Sequence, residues 1–419
     1  MIWTKKIRAG ALQLVLFVGA IIMVLLASFL VLAYTHDFFE KKTDLAIDLI
    51  QAADQGLVDS FEKEMALGVP LDVTSQNELG ITVSVTHKYW GVLPLRNAVA
   101  TKGKQEFIKW ALVGVSEPLK PALFLRDQQR PMVIAGQAQI VGNAFLPERG
   151  IKPGNIRGQG YNRSQLVYGQ QQKSSDQLPQ FTNEWNTQVQ QLTGLSQEPT
   201  GETLAIEKEE VLKNSFKEPM KVFKGSTIRL EHLNLTGHIM VWATKKIIVE
   251  NNCRLQDVVL IAPEIEIKKG FRGSLQALAT KNINVGESCE LEYPSVLLVN
   301  KNQNYIDDFK VNLSIASKTD VRGMVIFRQP TTGENSFIPD LRLAKNAQLM
   351  GELFCAGNLE LRGTIYGNVT TEAFMVNENG NSYQNHLFNG KINSSLLPEA
   401  YGGLWYNNTL INQVVKWLY

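Results

Sequence analysis

Cysteine is scarce: three residues in 419, an odd count and too few for a disulfide framework. Net charge is scarce too. The 42 basic and 40 acidic side chains leave a formal +2, which gives no broad field to attract nucleic acid. No nucleic-acid partner is expected. The chain contains no C-x-x-C, no HExxH and no P-loop, so zinc and nucleotide chemistry of those types are not signalled. His36, His87, His232, His238 and His386 fall at no metal-ligand spacing. The Gly-rich run Gly154–Gly160 has the wrong spacing for a dinucleotide fingerprint, and no helical pattern follows it. No metal and no cofactor are expected.

What the chain does contain begins near its N-terminus. From Ala9 to Thr35 there is no charged residue. As a helix these 27 residues would span about 40 Å, more than the roughly 30 Å of a bilayer's hydrocarbon core. A secretory signal has a shorter apolar core and a small-x-small cleavage site, and Leu32–His36 is a poor one. The run therefore predicts a transmembrane helix over 11–35. Lys5, Lys6 and Arg8 stand directly before it, whereas Asp37 and Glu40 are mixed with Lys41 and Lys42 after it. The positive-inside rule then puts the N-terminus in the cytoplasm and the bulk outside. The lipid bilayer is the first expected partner.

The stretch Lys6-Ile7-Arg8-Ala9-Gly10, followed by Ala11-Leu12-Gln13-Leu14-Val15-Leu16, resembles the leader junction of type IV pilins and type II secretion pseudopilins. The resemblance covers about the first 60 residues. It implies a cytoplasmic basic leader over 1–10, cleavage between Gly10 and Ala11, and partnership with other pilin-like envelope subunits. Val15 stands where major pilins usually carry Glu, and Ala11 where they tend to carry an aromatic residue, so the similarity is to minor subunits.

Leu45, Leu49, Ala52, Ala53, Leu57 and Phe61 recur at helical spacing and extend the helix as an amphipathic segment over 36–68. Gly68-Val69-Pro70 is its expected stop. Residues 71–125 read as a small β meander. Ile81–Thr86 alternates with period two, Gly91–Arg96 holds Pro94 and so suits an edge or bulge, and Phe107–Val113 is a third strand. His87 is expected in solvent and Trp90 packed.

The most informative pattern has a period of 18. Ile247, Ile265 and Ile283 share it, as do Val249, Ile267 and Val285, then Cys253, Phe271 and Cys289, then Leu260, Leu278 and Val296. Four apolar columns with one period are the signature of a solenoid. An 18-residue unit fits a three-sided parallel β-helix, with coils about 4.8 Å apart. Cys253 and Cys289 would sit two coils apart, about 9.6 Å, beyond disulfide reach.

The predicted fold is mainly β: a transmembrane α-helix running into an amphipathic helix, the meander, then an interrupted parallel β-helix over 130–375. The spacings Ala138/Ile156, Gly142/Gly160, Leu341/Leu359 and Leu343/Leu361 mark early coils near 130–170 and later ones near 321–375. Excursions are expected at about 170–224 and 300–320, the first Gln-rich and exposed, with a short helix over 202–216. Residues 376–419, with Trp405, Tyr406, Trp417 and Tyr419, are expected to cap the open end. The coil region resembles bactofilin-type, polymer-forming β-helices, although those usually lack long interruptions.

β-helices also carry polysaccharide-active enzymes, which gather several Asp on one face. Here Gly237-His238 and Asp307-Asp308 are the nearest hints, and Lys268 and Lys269 intersperse the glutamates 264, 266, 287, 290 and 292. The leading expectation is a structural, non-enzymatic subunit of a bacterial envelope apparatus: a pilin-like minor subunit in the inner membrane, displaying a β-helix outside the cytoplasm. A permanently anchored scaffold or adhesion protein is the alternative, and an enzyme the third.

Overall fold

The computed structural model describes the chain except residues 1–8, 74–79, 117–119, 195–197, 205–210, 302–310, 331–336, 405, 407–411 and 419. Lys5, Lys6, Arg8, Asp307, Asp308, Trp405 and Tyr419 lie outside the described residues.

The protein is mainly β, with one long helix at the start. That helix, α1, spans Ala9–Asp59, and a single 3-10 turn, Ser60–Glu62, ends it. It stops earlier than Gly68-Val69-Pro70 suggested. Ser60 is buried and receives a hydrogen bond from Arg96, so a tertiary contact fixes the end before the sequence breakers are reached.

Four strands follow: β1 (Pro70–Asp72), β2 (Thr82–Trp90), β3 (Leu93–Lys102) and β4 (Gln105–Val115). They form an antiparallel sheet whose fifth strand is Asn412–Leu418, paired to β4. Pro94 is in a central strand, but β3–β4 pairing starts at Leu95↔Leu112, so its missing N–H falls where no neighbour asks for one. The last residues therefore do not cap a solenoid. They complete the sheet because β4 would otherwise present an open edge.

Most of the remaining strands close on themselves in a predominantly parallel body, with a two-stranded and a three-stranded sheet outside the closed ring. Lys221–Leu230, Ile239–Val249, Arg254–Ile267, Arg272–Val285, Glu290–Asn300 with Leu313–Ile315, Asp320–Arg328 with Leu341–Leu343, Gln348–Leu361 and residues 364–374 lie successively beside one another. The stack then continues with strands from earlier in the chain. Leu123–Leu125 lies beside Val369–Thr371, Lys391–Asn393 lies between Thr364–Ile365 and Gln139–Val141, and Ala144–Leu146 carries Gln171–Lys173. Residues 130–170 thus extend the late end of the body instead of opening it. An open parallel edge takes any strand of matching direction, whatever its place in the chain. Ala138 and Ile156 do not stack either: Ile156 sits in a small antiparallel hairpin and packs with Ala135 and Phe388.

From Lys173 the chain returns along the outside to Glu202–Leu204, which pairs with Lys221–Phe223 at the other end. This return carries helix α2 (Asn183–Thr193), capped by Thr182, whose Oγ1 accepts from Trp185 N at 3.3 Å. The helix lies in the Gln-rich stretch read as exposed, because Trp185 and Val189, four apart, have a core to enter. The helix expected over 202–216 is replaced by strands Glu202–Leu204 and Val211–Asn214. There parallel pairing overrides helical propensity.

Three layers result. The C-terminal part of α1 buries Leu49, Ala53 and Leu57 against Val83, Val85, Ala98, Ala100 and Ala111 of the sheet. Gly56 allows the approach, since a Cβ there would meet Val83 Cγ1 at 2.4 Å. The other face of the sheet, with α2, covers one side of the closed body through Trp90, Leu95, Leu112 and Trp185.

Candidate functional site

The first candidate feature is α1 itself. It is one helix long and apolar enough to cross a membrane. Gly10 and Ala11 lie in its first turns, both exposed. Large apolar side chains from Leu12 to Phe39 are exposed as well, Leu30 by 72% and Met23 by 72%. Leaving such a contiguous apolar surface in water is strongly unfavourable. Among the described residues, only the last turns of the helix are packed on the rest of the chain.

The second feature is the joint between sheet and body. The amide of Gln276, itself buried, clasps the turn after β2: its Nε2 donates to Trp90 O at 2.8 Å and its Oε1 accepts from Val92 N at 2.9 Å. Trp90 Nε1 donates to Asp257 O, and Lys416 of the fifth strand pairs with the Asp257 carboxylate at 2.6 Å. His87 is buried, not solvated, with Nε2 2.8 Å from Glu184 Oε1 on α2. That hydrogen bond holds the Glu184 carboxyl below its ordinary range.

The third feature is the neck where the chain leaves and re-enters the sheet. Val115 and Gly403 exchange backbone hydrogen bonds of 3.2 and 2.8 Å. Glu352, 3% exposed, binds both crossings: Lys120 Nζ donates to it at 2.8 Å and Leu404 N at 3.0 Å. Glu352→Ala would leave the largely enclosed Lys120 without its anion and Leu404 N without its acceptor. It is expected to cost about 3–5 kcal/mol, whereas Glu352→Gln keeps an acceptor for Leu404 and should cost less. Thermal unfolding of the two variants checks the order.

The apolar columns have mixed placements. Ile247, Ile265 and Ile283 pair in one row, and Val249, Ile267 and Val285 in the next but one, all inside the body. Leu260, Leu278 and Val296 do not share a column. Leu260 pairs with Ala277, Leu278 with Ile261 and Leu298, and Val296 with Gln276 and Met324. Leu260 faces the interior, while Leu278 and Val296 face the sheet and α2. Register shifts at Gln256/Val258 and Gly273/Gln276 cause this, since a slip of one residue turns a side chain to the opposite face. The covered outer face was legible in another signal: Val258–Ala262, Val296–Val299 and Met324–Phe327 are unbroken apolar runs, as strands buried on both sides require.

The polar candidates are separated. His238 is sandwiched by Trp90 and Phe216, ring centroids 4.8 and 5.1 Å away, and burial lowers its pKa. Glu266 pairs with Lys246 at 2.8 Å and with Lys268, and hydrogen bonds from those lysines lower its pKa. Glu287 and Glu290 pair with Lys269 and Arg272. Cys253, Cys289 and Cys355 are free and buried, and burial pushes each thiol's pKa up. Among the described residues no group of three His, Cys, Asp or Glu is placed to hold a metal ion.

Against known proteins, no family model matches the chain, and no curated protein or solved structure matches it significantly.

Proposed function

We propose that this protein is a membrane-tethered structural subunit of a bacterial envelope apparatus, pilin-like at its N-terminus and displaying a parallel β-helix outside the cytoplasm. The observation that carries the reading is the divided use of α1. About its first 30 residues present apolar surface that their own chain leaves uncovered, while its last turns are packed on an antiparallel sheet. A bilayer satisfies the first part before assembly. The pilin resemblance implies that helices of neighbouring subunits satisfy it afterwards.

Two further observations support the reading. The sheet directly follows the helix and recovers its fifth strand from the C-terminus, so the whole closed body is an insertion between two paired strands, β4 and Asn412–Leu418. Within that body, Ile247↔Ile265↔Ile283 repeats at 18 residues, the spacing of a β-helical coil. The charged wall is self-paired between neighbouring strands, Arg272 with Glu290 and Lys269 with Glu287, which suits a stiff surface for contact with other subunits. Lys5, Lys6 and Arg8 support a cytoplasmic N-terminus.

A permanently anchored scaffold is the second reading, favoured by Ala11 and Val15 at the two positions where major pilins differ. Mass spectrometry of the N-terminus of protein taken from membranes separates them. The pilin-like reading expects a chain beginning at Ala11. A chain retaining Gly10 and the basic leader, in cells with active prepilin peptidase, would overturn it in favour of the scaffold.

A further inference from the structure

The dipeptide Asn-Gly occurs twice in the chain, at 379–380 and at 389–390. Both asparagines are left-handed, with φ of +50° and +64°. Their surroundings differ. Asn379 and Gly380 form the exposed tip of a hairpin between Thr364–Glu378 and Asn381–Gln384, where Glu378 pairs with Asn381. Gly380 has a positive φ as well, +81°, as in the two-residue hairpin loop that Asn-Gly favours. Among the described residues no partner holds the Asn379 amide or the Gly380 N–H. A Cβ on Gly380 would meet nothing within 4 Å.

Asn389, in contrast, is held. Its Oδ1 accepts from Gln137 N at 2.8 Å. Gly390 is buried, and a Cβ there would meet Leu361 O at 2.4 Å. The Gly390 carbonyl accepts from Gln139 N at 3.1 Å. Freeing this pair means opening the body itself. The hairpin tip frays at little cost, because Asn381 and Ser382 are exposed.

We propose that Asn379 is a site of spontaneous deamidation, with water as the co-reactant. The backbone nitrogen of Gly380 attacks Asn379 Cγ, and no side chain on Gly380 shields it. The Cγ–Nδ2 bond breaks, the amide proton leaves with ammonia, and a cyclic succinimide remains. Water then opens the ring at Cγ to give aspartate, or at the backbone carbonyl carbon of residue 379 to give isoaspartate. One ammonia leaves and one water enters, with no change of oxidation state. Either product adds a negative charge beside Glu378, which already pairs with Arg157 and Arg362. Aspartate still suits the turn. Isoaspartate lengthens the backbone by a methylene and breaks the pairing of Glu378 with Asn381. That loosens Tyr383 from the cluster of Ala135, Ile156, Val376 and Phe388. The inference does not depend on the pilin-like reading, because every group named belongs to the closed body and its hairpin.

Peptide mapping by mass spectrometry tests it, on the full chain incubated in detergent at mildly alkaline pH. Asn379 is expected to convert about tenfold or more faster than Asn389, because its local opening is the cheaper one. The product should be a mixture of aspartyl and isoaspartyl peptides of equal mass. In guanidinium chloride, where neither turn persists, the two asparagines should convert at similar rates. Four results would overturn the proposal. Asn379 could stay intact in the folded chain while the denatured chain converts, or Asn389 could keep pace with it. The preference for Asn379 could persist in guanidinium chloride, or the aspartyl product could form with no isoaspartyl companion.

Discussion

Ile265→Asp is expected to abolish folding of the closed body, while Glu266→Gln, one residue away, leaves it folded. Ile265 is fully buried between Ile247 and Ile283. Removing its side chain forfeits about 1.5–3 kcal/mol of burial. The introduced carboxylate then has no partner among apolar neighbours, and an unpaired buried charge costs several kcal/mol more. Protonation would relieve part of that but leaves a polar group in the column. The sum approaches the roughly 5–15 kcal/mol that holds a whole domain together. Glu266 points outward and carries ion pairs to Lys246 and Lys268. Pairs of that exposure contribute about 0–1 kcal/mol. Thermal unfolding and limited proteolysis of both variants provide the measurement. Equal melting temperatures would remove the apolar row as the body's support.

Gly351→Ala is the second large effect. Gly323, Gly351 and Gly367 pair in register in three successive strands. At Gly351 the backbone has φ +146°, and a Cβ would meet Gly323 O at 1.9 Å. The neighbouring obstacle is backbone, so no side chain can turn aside. Strain at such a conformation costs about 1–3 kcal/mol, and the overlap forces the two strands apart on top of that. An alanine should therefore lower stability by about 3 kcal/mol or more and increase amide exchange in both neighbouring strands. An alanine at Gly103, in the open turn between β3 and β4, meets nothing within 4 Å and differs only by its backbone strain. If the two variants melted together, the close approach would not matter.

Much of this architecture is written locally. The apolar run Ala9–Thr35 needs no tertiary information, since its length and lack of charge already demand lipid or protein around it. The rows through Ile265 and Ile267 are legible because each strand repeats the same inward residues at one spacing. The row through Leu260 was not, because bulges shift the register between strands and a periodic count cannot see them. Helix α2 was hidden by its glutamines, and only the apolar face built by Val92, Phe354 and Leu298 explains why Trp185 and Val189 form a helix there. The burial of Arg96 against Ser60 and Phe61 was invisible for a similar reason. Ser60, Arg96, Glu184 and Asn412 are far apart in the chain, and nothing in any one stretch announces that they converge.

The amino-acid order alone settled the long apolar N-terminal helix, the β character of the bulk and the inward rows through Ile265 and Ile267, because those depend on neighbours within one turn or one strand. Folding in three dimensions settled which end of the stack Leu123–Leu125, Gln139–Val141, Ala144–Leu146 and Gln171–Lys173 join, and that the last strand returns to the sheet. These outcomes depend on which open edges and faces find a partner. Such a choice is made between segments hundreds of residues apart, by hydrogen-bonding and burial that no local pattern records.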